Sequence, residues 1–390
     1  GGYYYYTLLQ ARSKPIYVGL VTPLSGPYAT SGEMVLYGVQ LAVNYINSHG
    51  GILGHKVVLV VKDEGTTTQT AVTAVESLVE QYHIKFLIGP YWSGDVEAVL
   101  PFLYAHKVID VLTVASGNFL LKPPYNKYVF MVDLPDSGVA YMAVQWLRLI
   151  GAKNAVVIGE DYLWAHEVAN FTTSYAKEYN ISISWVSFYP GTATDYSTAI
   201  SEIASLKPDA VIVIMSGMNS VDFQKEYAAN PITAKIPILY FESLLDAMRY
   251  AKLVDAAVPN GMNGVFLADE TTITNETASF AALLYKTYGV PFAHFASDAY
   301  NGMMVLAMAI NMAGTTNTTA VANAMMKIYW TGPGGTIKFT SDHGPTIGVG
   351  YVSGTIYQVI VKNNTIYYEI VWPPTVANFT AINPATGQPY

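Results

Sequence analysis

The chain has 390 residues, no cysteine, a net charge of −8, and 52% hydrophobic against 12% charged residues. That length suits two compact domains, and the composition excludes a disordered chain, disulfides, thiolate metal sites and a cysteine nucleophile. The 20 basic residues are scattered, so no basic stripe marks a nucleic-acid partner.

Gly1 to Gln10 (GGYYYYTLLQ) does not resemble the folded pattern that follows, and the first residue is not Met. This predicts that an upstream signal or anchor has been removed. Residues 1–14 read as a linker. After Pro15, the apolar run IYVGLV (Ile16 to Val21) predicts a strand buried on both faces of a parallel sheet. From Glu33, Leu36, Val39, Val43 and Ile46 fall on one helical face, and Gly50-Gly51 supplies the stop. The alternation continues through KVVLVVKD and a helix from about Gln69, IKFLIG and a helix from about Ser93, and VIDVLTVA with a short helical turn.

A second series opens near Asp136. It comprises a helix over Gly138 to Ile150, the strand NAVVIG, a helix from about Leu163, the strand ISISWVSF, a helix from about Asp195, the strand DAVIVIM, a helix from about Ser220 and the strand IPILYF. Beyond GVFLAD near Gly264 come apolar helices over Ala278 to Tyr288 and Asp298 to Met312. A hairpin then spans Tyr351 to Val371 and turns around Lys362 to Asn364. The tail after Trp372 reads as loose. Right-handed crossovers connecting such strands make an α/β protein of two doubly wound lobes. No uninterrupted run reaches the ~18 apolar residues of a spanning helix.

Enzymatic motifs are lacking. The seven histidines show no metal-ligand spacing, no P-loop is present, and neither G-x-S-x-G nor Ser-x-x-Lys stands on a strand-to-helix turn. The reading is therefore a binding protein without cofactor, metal or catalytic residue. Six Asn-x-Ser/Thr sequons, at Asn170, Asn180, Asn275, Asn317, Asn363 and Asn378, lean toward an exported chain.

Hydroxyl residues recur where a strand's C-terminal end meets a helix, the edge at which open α/β sheets bind ligands. Ser93, preceded by Trp92, follows FLIGPYW, and Ser116 follows DVLTVA. Each can receive a carboxylate at a helix N-terminus, or serve as an ordinary N-cap. Glu242 ends the apolar strand IPILYF, where a carboxylate needs a cation or several donors to offset desolvation.

Three segments, in order, carry a resemblance: GLVTPLSGPYATSGEMVLYGVQLAVNYINSHGGILGHKV, FLIGPYWSGDVEAVLPFLYAHKVIDVLTVAS and TDYSTAISEIASLKPDAVIV. Together they resemble the type I periplasmic binding proteins of branched-chain amino-acid (Leu/Ile/Val) ABC importers, over about Pro15 to Val361. The resemblance implies two Rossmann-like lobes, residues 15–133 with 268–341 and residues 134–267 with 342–372, and leaves 373–390 as a tail. It implies three hinge crossovers, near Asp133 to Asp136, Leu267 to Asp269 and Thr340 to Gly344, and a cleft that closes on a ligand.

By the same resemblance Ser93 and Ser116 hold the ligand's α-carboxylate, while the Val114 carbonyl and Glu242 hold its ammonium. Aromatic or apolar walls fall to Tyr28, Trp164, Ser216 or Met218, and Tyr300. Trp164 and Tyr300 can equally be packing residues. Departures from the pattern are Ser31, where relatives place an aromatic ring, and Met131, where they often place Arg. The implied function is capture of an α-amino acid by an extracytoplasmic, monomeric protein that delivers it to a membrane ABC permease. A related solute such as an amide or aromatic acid, or a receptor ectodomain built on the same clamp, are the alternatives.

Overall fold

The computed structural model describes residue 2 and residues 14–241, 261, 263–266, 275–363 and 365–390. The described residues form two compact units, those within Gly1–Leu134 and Ile273–Ser353 and those within Pro135–Thr272 and Gly354–Tyr390. Glu242 and the crossover expected near Leu267 to Asp269 lie outside the described residues.

In the first unit, the apolar run after Pro15 forms β1 (Ile16–Thr22), with Tyr17 as its one exposed residue. A turn at Gly26–Tyr28 leads into α1 (Ala29–Ser48), β2 (Val57–Asp63), α2 (Thr68–Glu80), β3 (Phe86–Ile88), α3 (Ser93–Ala105), β4 (Ile109–Leu112) and β5 (Val129–Met131). The second unit takes up α4 (Asp136–Leu149), β6 (Asn154–Glu160), α5 (Leu163–Glu178), β7 (Ser182–Tyr189), α6 (Ser197–Leu206), β8 (Ala210–Ile214), α7 (Gly217–Ala229), β9 (Ile238–Phe241) and β10 (Asn263–Phe266). The first unit then gains α8 (Asn275–Tyr288), α9 (His294–Ala313), α10 (Thr318–Met325) and the short pair β11 (Trp330–Gly332) and β12 (Gly335–Ile337). The hairpin β13 (Thr355–Lys362) and β14 (Thr365–Trp372) belongs to the second unit.

The first sheet is parallel, in the order β2-β1-β3-β4-β5. The second runs β14-β13-β10-β9-β8-β6-β7, parallel from β10 to β7, with β13 and β14 antiparallel at one edge. Counted by appearance, the parallel strands of both sheets follow the order 2-1-3-4-5, a doubly wound arrangement whose winding reverses between the first and third strands. Fully buried runs such as AVIVI in β8 fit strands covered by helices on both faces.

On one face of the first sheet, Val75 and Leu78 of α2 and Val99 and Leu103 of α3 pack on Val21, Leu87 and Val108. Each such side chain contributes ~1.5–3 kcal/mol by leaving water. Elsewhere in this unit α1 meets α9 closely, and a Cβ on Gly38 would stand 2.0 Å from the Ala296 carbonyl oxygen. A Cβ on Gly302 of α9 would meet the Thr113 and Val111 side chains, so small residues set how near α9 lies to β4. Met131, the departure from the family's Arg, is buried among Val96, Leu100, Leu112 and Leu121, an apolar place where a guanidinium would have no partner.

Three expectations are corrected. Residues 342–353 stay with the first unit, because the turn at Thr340 to Gly344 folds back on β5: the His343 ring stacks on Phe130 at 4.4 Å and Met131 N–H donates to the His343 carbonyl at 3.0 Å. The tail after Trp372 is not loose but tied into the second unit. Gln358 Nε2 donates to the Ile382 carbonyl, Ile382 N–H returns to Gln358 Oε1, and Ile370 N–H donates to Asn378 Oδ1, each at 2.8 Å. Finally, α1 and α9 begin four residues earlier than expected, since their first turns carry no apolar periodicity to read.

Candidate functional site

In each unit the sheet order singles out one edge, the C-terminal ends of the first and third strands. In the first unit these are the exits of β1 and β3. Asp63, at the end of β2, fastens the β1 exit by accepting from Leu24 N–H and Gly65 N–H, both at 2.8 Å. Burial pushes its carboxyl up, but the Ser25 hydroxyl and the backbone N–H groups of Leu24, Gly65 and Ser25 outweigh this and hold it below its usual value.

The β1 exit delivers Tyr28 and the β3 exit delivers Tyr91 and Trp92. Tyr28 and Tyr91 are buried and Trp92 is half-buried. The Tyr28 and Trp92 rings meet edge to face at 4.7 Å, and Tyr91 stands 5.0 Å from Trp92 and 5.5 Å from Phe295 of α9. Ser31, which the family pattern would make aromatic, is buried in α1. Tyr28, three residues earlier, is the aromatic ring at this exit.

Ser93 is the first residue of α3 and only 2% exposed. Its N-cap, Trp92, makes no side-chain cap bond, and the backbone N–H groups of the first turn give this end a positive partial charge. Gly117 N–H donates to Ser93 Oγ at 3.2 Å. That bond joins the loop after β3 to the loop after β4, and with it Ser116 and Val114, both half-buried. Tyr28, Trp92, Ser93, Val114 and Ser116 are therefore gathered at one edge of one unit.

Beneath this edge lies Glu64, which the sequence reading missed. It is fully buried, and its oxygens accept Tyr91 N–H at 2.8 Å and Trp92 N–H at 3.2 Å. Burial, and then hydrogen bonding and charge from Asp95, push the Glu64 carboxyl well above the usual carboxylate range. Asp95 Oδ1 accepts the Thr68 hydroxyl at 2.7 Å.

The second unit repeats the plan. Glu160 closes β6, is fully buried, and accepts Ser216 N–H at 2.7 Å and Asn219 Nδ2–H at 3.3 Å. Ser216 precedes α7 and is buried, and Met218 in the first turn of α7 is 38% exposed. Trp164 lies in the first turn of α5, half-buried, and its Nε1–H has no hydrogen-bond partner in the protein. Glu242, the next residue in the sequence after β9, is outside the described residues. Tyr300 lies within α9, its ring 5.1 Å from Phe280 of α8. The signal that flagged Glu242, an acid closing an apolar strand, also stands at VVKDEG and NAVVIGE and would have found Glu64 and Glu160.

Among the described residues no three His, Asp or Glu side chains gather as a metal site, and no helix is long and apolar enough to cross a membrane. Residues 15–355 match the family model described as periplasmic binding protein. The chain belongs to the periplasmic binding protein family. This periplasmic binding protein is 27% identical over 312 residues to a Leu/Ile/Val-binding protein of Rhizobium johnstonii, covering 80% of this chain and 83% of that one. A Leu/Ile/Val-binding protein homolog of Brucella melitensis is 25% identical with the same coverage. Among solved structures, a solute binding protein of an R. palustris ABC transporter in complex with benzoate is similar with a TM-score of 0.82, 21% identity, and 95% and 99% of the two chains covered. A leucine binding protein from Thermotoga maritima has a TM-score of 0.78, 21% identity, and 93% and 100% covered. These structural likenesses establish the fold.

Proposed function

We propose that this periplasmic binding protein captures a small carboxylate-bearing solute, first of all an α-amino acid, outside the cytoplasm and delivers it as a monomer to an ABC permease, without catalysis. The observation that supports the reading is the bond from Gly117 N–H to Ser93 Oγ, which ties the loop carrying Ser116 to the first residue of α3, a helix N-terminus of the kind that favours anions. Charge-assisted hydrogen bonds there contribute roughly 1.5–3 kcal/mol each. Tyr28 and Trp92 supply an apolar wall beside them. The names of the sequence relatives favour leucine, isoleucine and valine, and all six sequon asparagines are exposed, as glycan attachment would require.

In this reading the second unit contributes Glu242 and the Val114 carbonyl of the first unit assists it in holding the ammonium, while Trp164 and Ser216 border the solute's side chain and Tyr300 supports from α9. A second reading, an aromatic carboxylate, is supported by the rings of Tyr28, Tyr91 and Trp92 around Ser93 and by the benzoate complex of a structural neighbour.

One variant separates the two. Glu242→Ala should weaken binding of leucine roughly tenfold or more while leaving its deaminated analogue, 4-methylpentanoate, within about twofold. Titration calorimetry reads both, and equal losses would remove Glu242 from the ammonium site.

A further inference from the structure

Glu64 occupies an unusual place for a buried acid. Its two oxygens are given to the backbone N–H groups of Tyr91 and Trp92, the residues that lead directly into Ser93. Any movement of Glu64 therefore moves the first turn of α3. The remaining neighbour of its carboxyl is another carboxyl, Asp95, which is 7% exposed in the same first turn and hydrogen-bonds with it. Two carboxyls can share a hydrogen bond only when one of them carries a proton.

We propose that Glu64 is a positioning residue for the solute's carboxylate: it holds the Tyr91–Trp92 backbone through a proton shared with Asp95, and loss of that proton weakens solute binding. The inference rests on the carboxylate reading of the Ser93 edge. Of the titratable groups around Glu64, Asp95 of α3 acts on it by hydrogen bond and charge. Asp63 of β2 gives its carboxylate to Leu24 and Gly65 N–H, and Tyr91 contributes its own N–H.

With one proton in the pair, a single negative charge lies under the positive end of α3. With none, two charges oppose the incoming carboxylate and repel each other, pulling the Tyr91–Trp92 backbone out of register. Burial and Asp95 both drive Glu64 toward the protonated form, which favours the one-proton state. Binding should therefore be strongest in mildly acidic solution and decline as the shared proton leaves.

The test is titration calorimetry with L-leucine and with benzoate, using wild type, Asp95→Asn and Glu64→Ala. Wild-type affinity for whichever probe binds should fall several-fold as pH rises from mildly acidic to alkaline solution, because an added negative charge opposes the carboxylate. Asp95→Asn, whose amide N–H can donate to Glu64 without a titrating proton while both Glu64 oxygens keep the Tyr91 and Trp92 N–H groups, should stay level across the range. Glu64→Ala, which leaves two N–H groups without an acceptor, should bind weakly throughout. A level wild-type profile, or Asp95→Asn as weak as Glu64→Ala, would overturn the proposal. Failure of wild type to bind either probe would overturn the carboxylate reading, and this inference with it.

Discussion

Ser93→Ala is expected to weaken solute binding by about 10- to 100-fold, with the fold retained. The hydroxyl oxygen already accepts Gly117 N–H, so its own proton is free to point at a carboxylate. Removing it deletes one charge-assisted hydrogen bond, roughly 1.5–3 kcal/mol or about one to two orders of magnitude in affinity. It also cuts the bond between the β3 and β4 exits, so Ser116 loses its fixed distance from the end of α3. The stability cost is that of one orphaned backbone N–H, ~1–3 kcal/mol. Calorimetry on the folded variant measures the effect, and an affinity within about twofold of wild type would show that the hydroxyl does not touch the solute.

The second large effect concerns stability and its dependence on pH. Asp110 lies in the middle of β4, fully buried, and neither of its carboxylate oxygens has a hydrogen-bond partner in the protein. Burial alone pushes its carboxyl well above the usual carboxylate range. Its folded state thus keeps a proton that the unfolded chain releases above about pH 4. Between those two values the unfolded state binds fewer protons, so stability falls as pH rises, by about 1.4 kcal/mol per unit while Asp110 stays protonated in the fold.

Asp110→Asn removes that slope without changing the side chain's shape. The variant should be closest to wild type at about pH 4, and its advantage should grow toward about pH 7 by about 1.4 kcal/mol per unit for as long as Asp110 stays protonated in the fold. Glu64 is raised in the same direction, but it is present in both proteins and cancels in the difference. Urea denaturation of the first unit at the two pH values gives the comparison. A stability gap that does not change with pH would mean that Asp110 is ionised in the fold.

Much of the fold was legible because a strand buried on both faces must be written as a short apolar run. β1, β3, β6 and β8 all read that way, and the helices between them showed their apolar stripes. What escaped had the opposite character. The first turn of α1 (Ala29, Thr30, Ser31, Gly32) has small and polar residues, and that of α9 is buried all round, so neither carries a stripe. The tail after Trp372 is held by Gln358, Asn378 and backbone groups rather than by apolar side chains, and hydrogen bonds of that kind leave no periodic trace. Residues 342–353 return to β5 through the His343 ring and one backbone bond, which spacing alone does not reveal.

The candidate site was legible where a hydroxyl or an aromatic ring follows a strand, as at Tyr28, Trp92, Ser93, Ser116 and Ser216. It was not legible where support comes from below. Glu64 and Glu160 touch backbone N–H groups of loops 27 and 56 residues away, and nothing near them in the chain announces those partners. Tyr300, which the resemblance suggests at the cleft floor and which packing explains equally, has its ring 5.1 Å from Phe280.

The central claim is that a solute is recognised by its carboxylate at the N-terminal end of α3. The most direct measurement is paired calorimetric titration of wild-type protein with acids and their amides, leucine against leucinamide and benzoate against benzamide. The account predicts that at least one acid binds and that its amide is weaker by about tenfold or more. Equal affinities within a pair, or no binding by either acid, would contradict it.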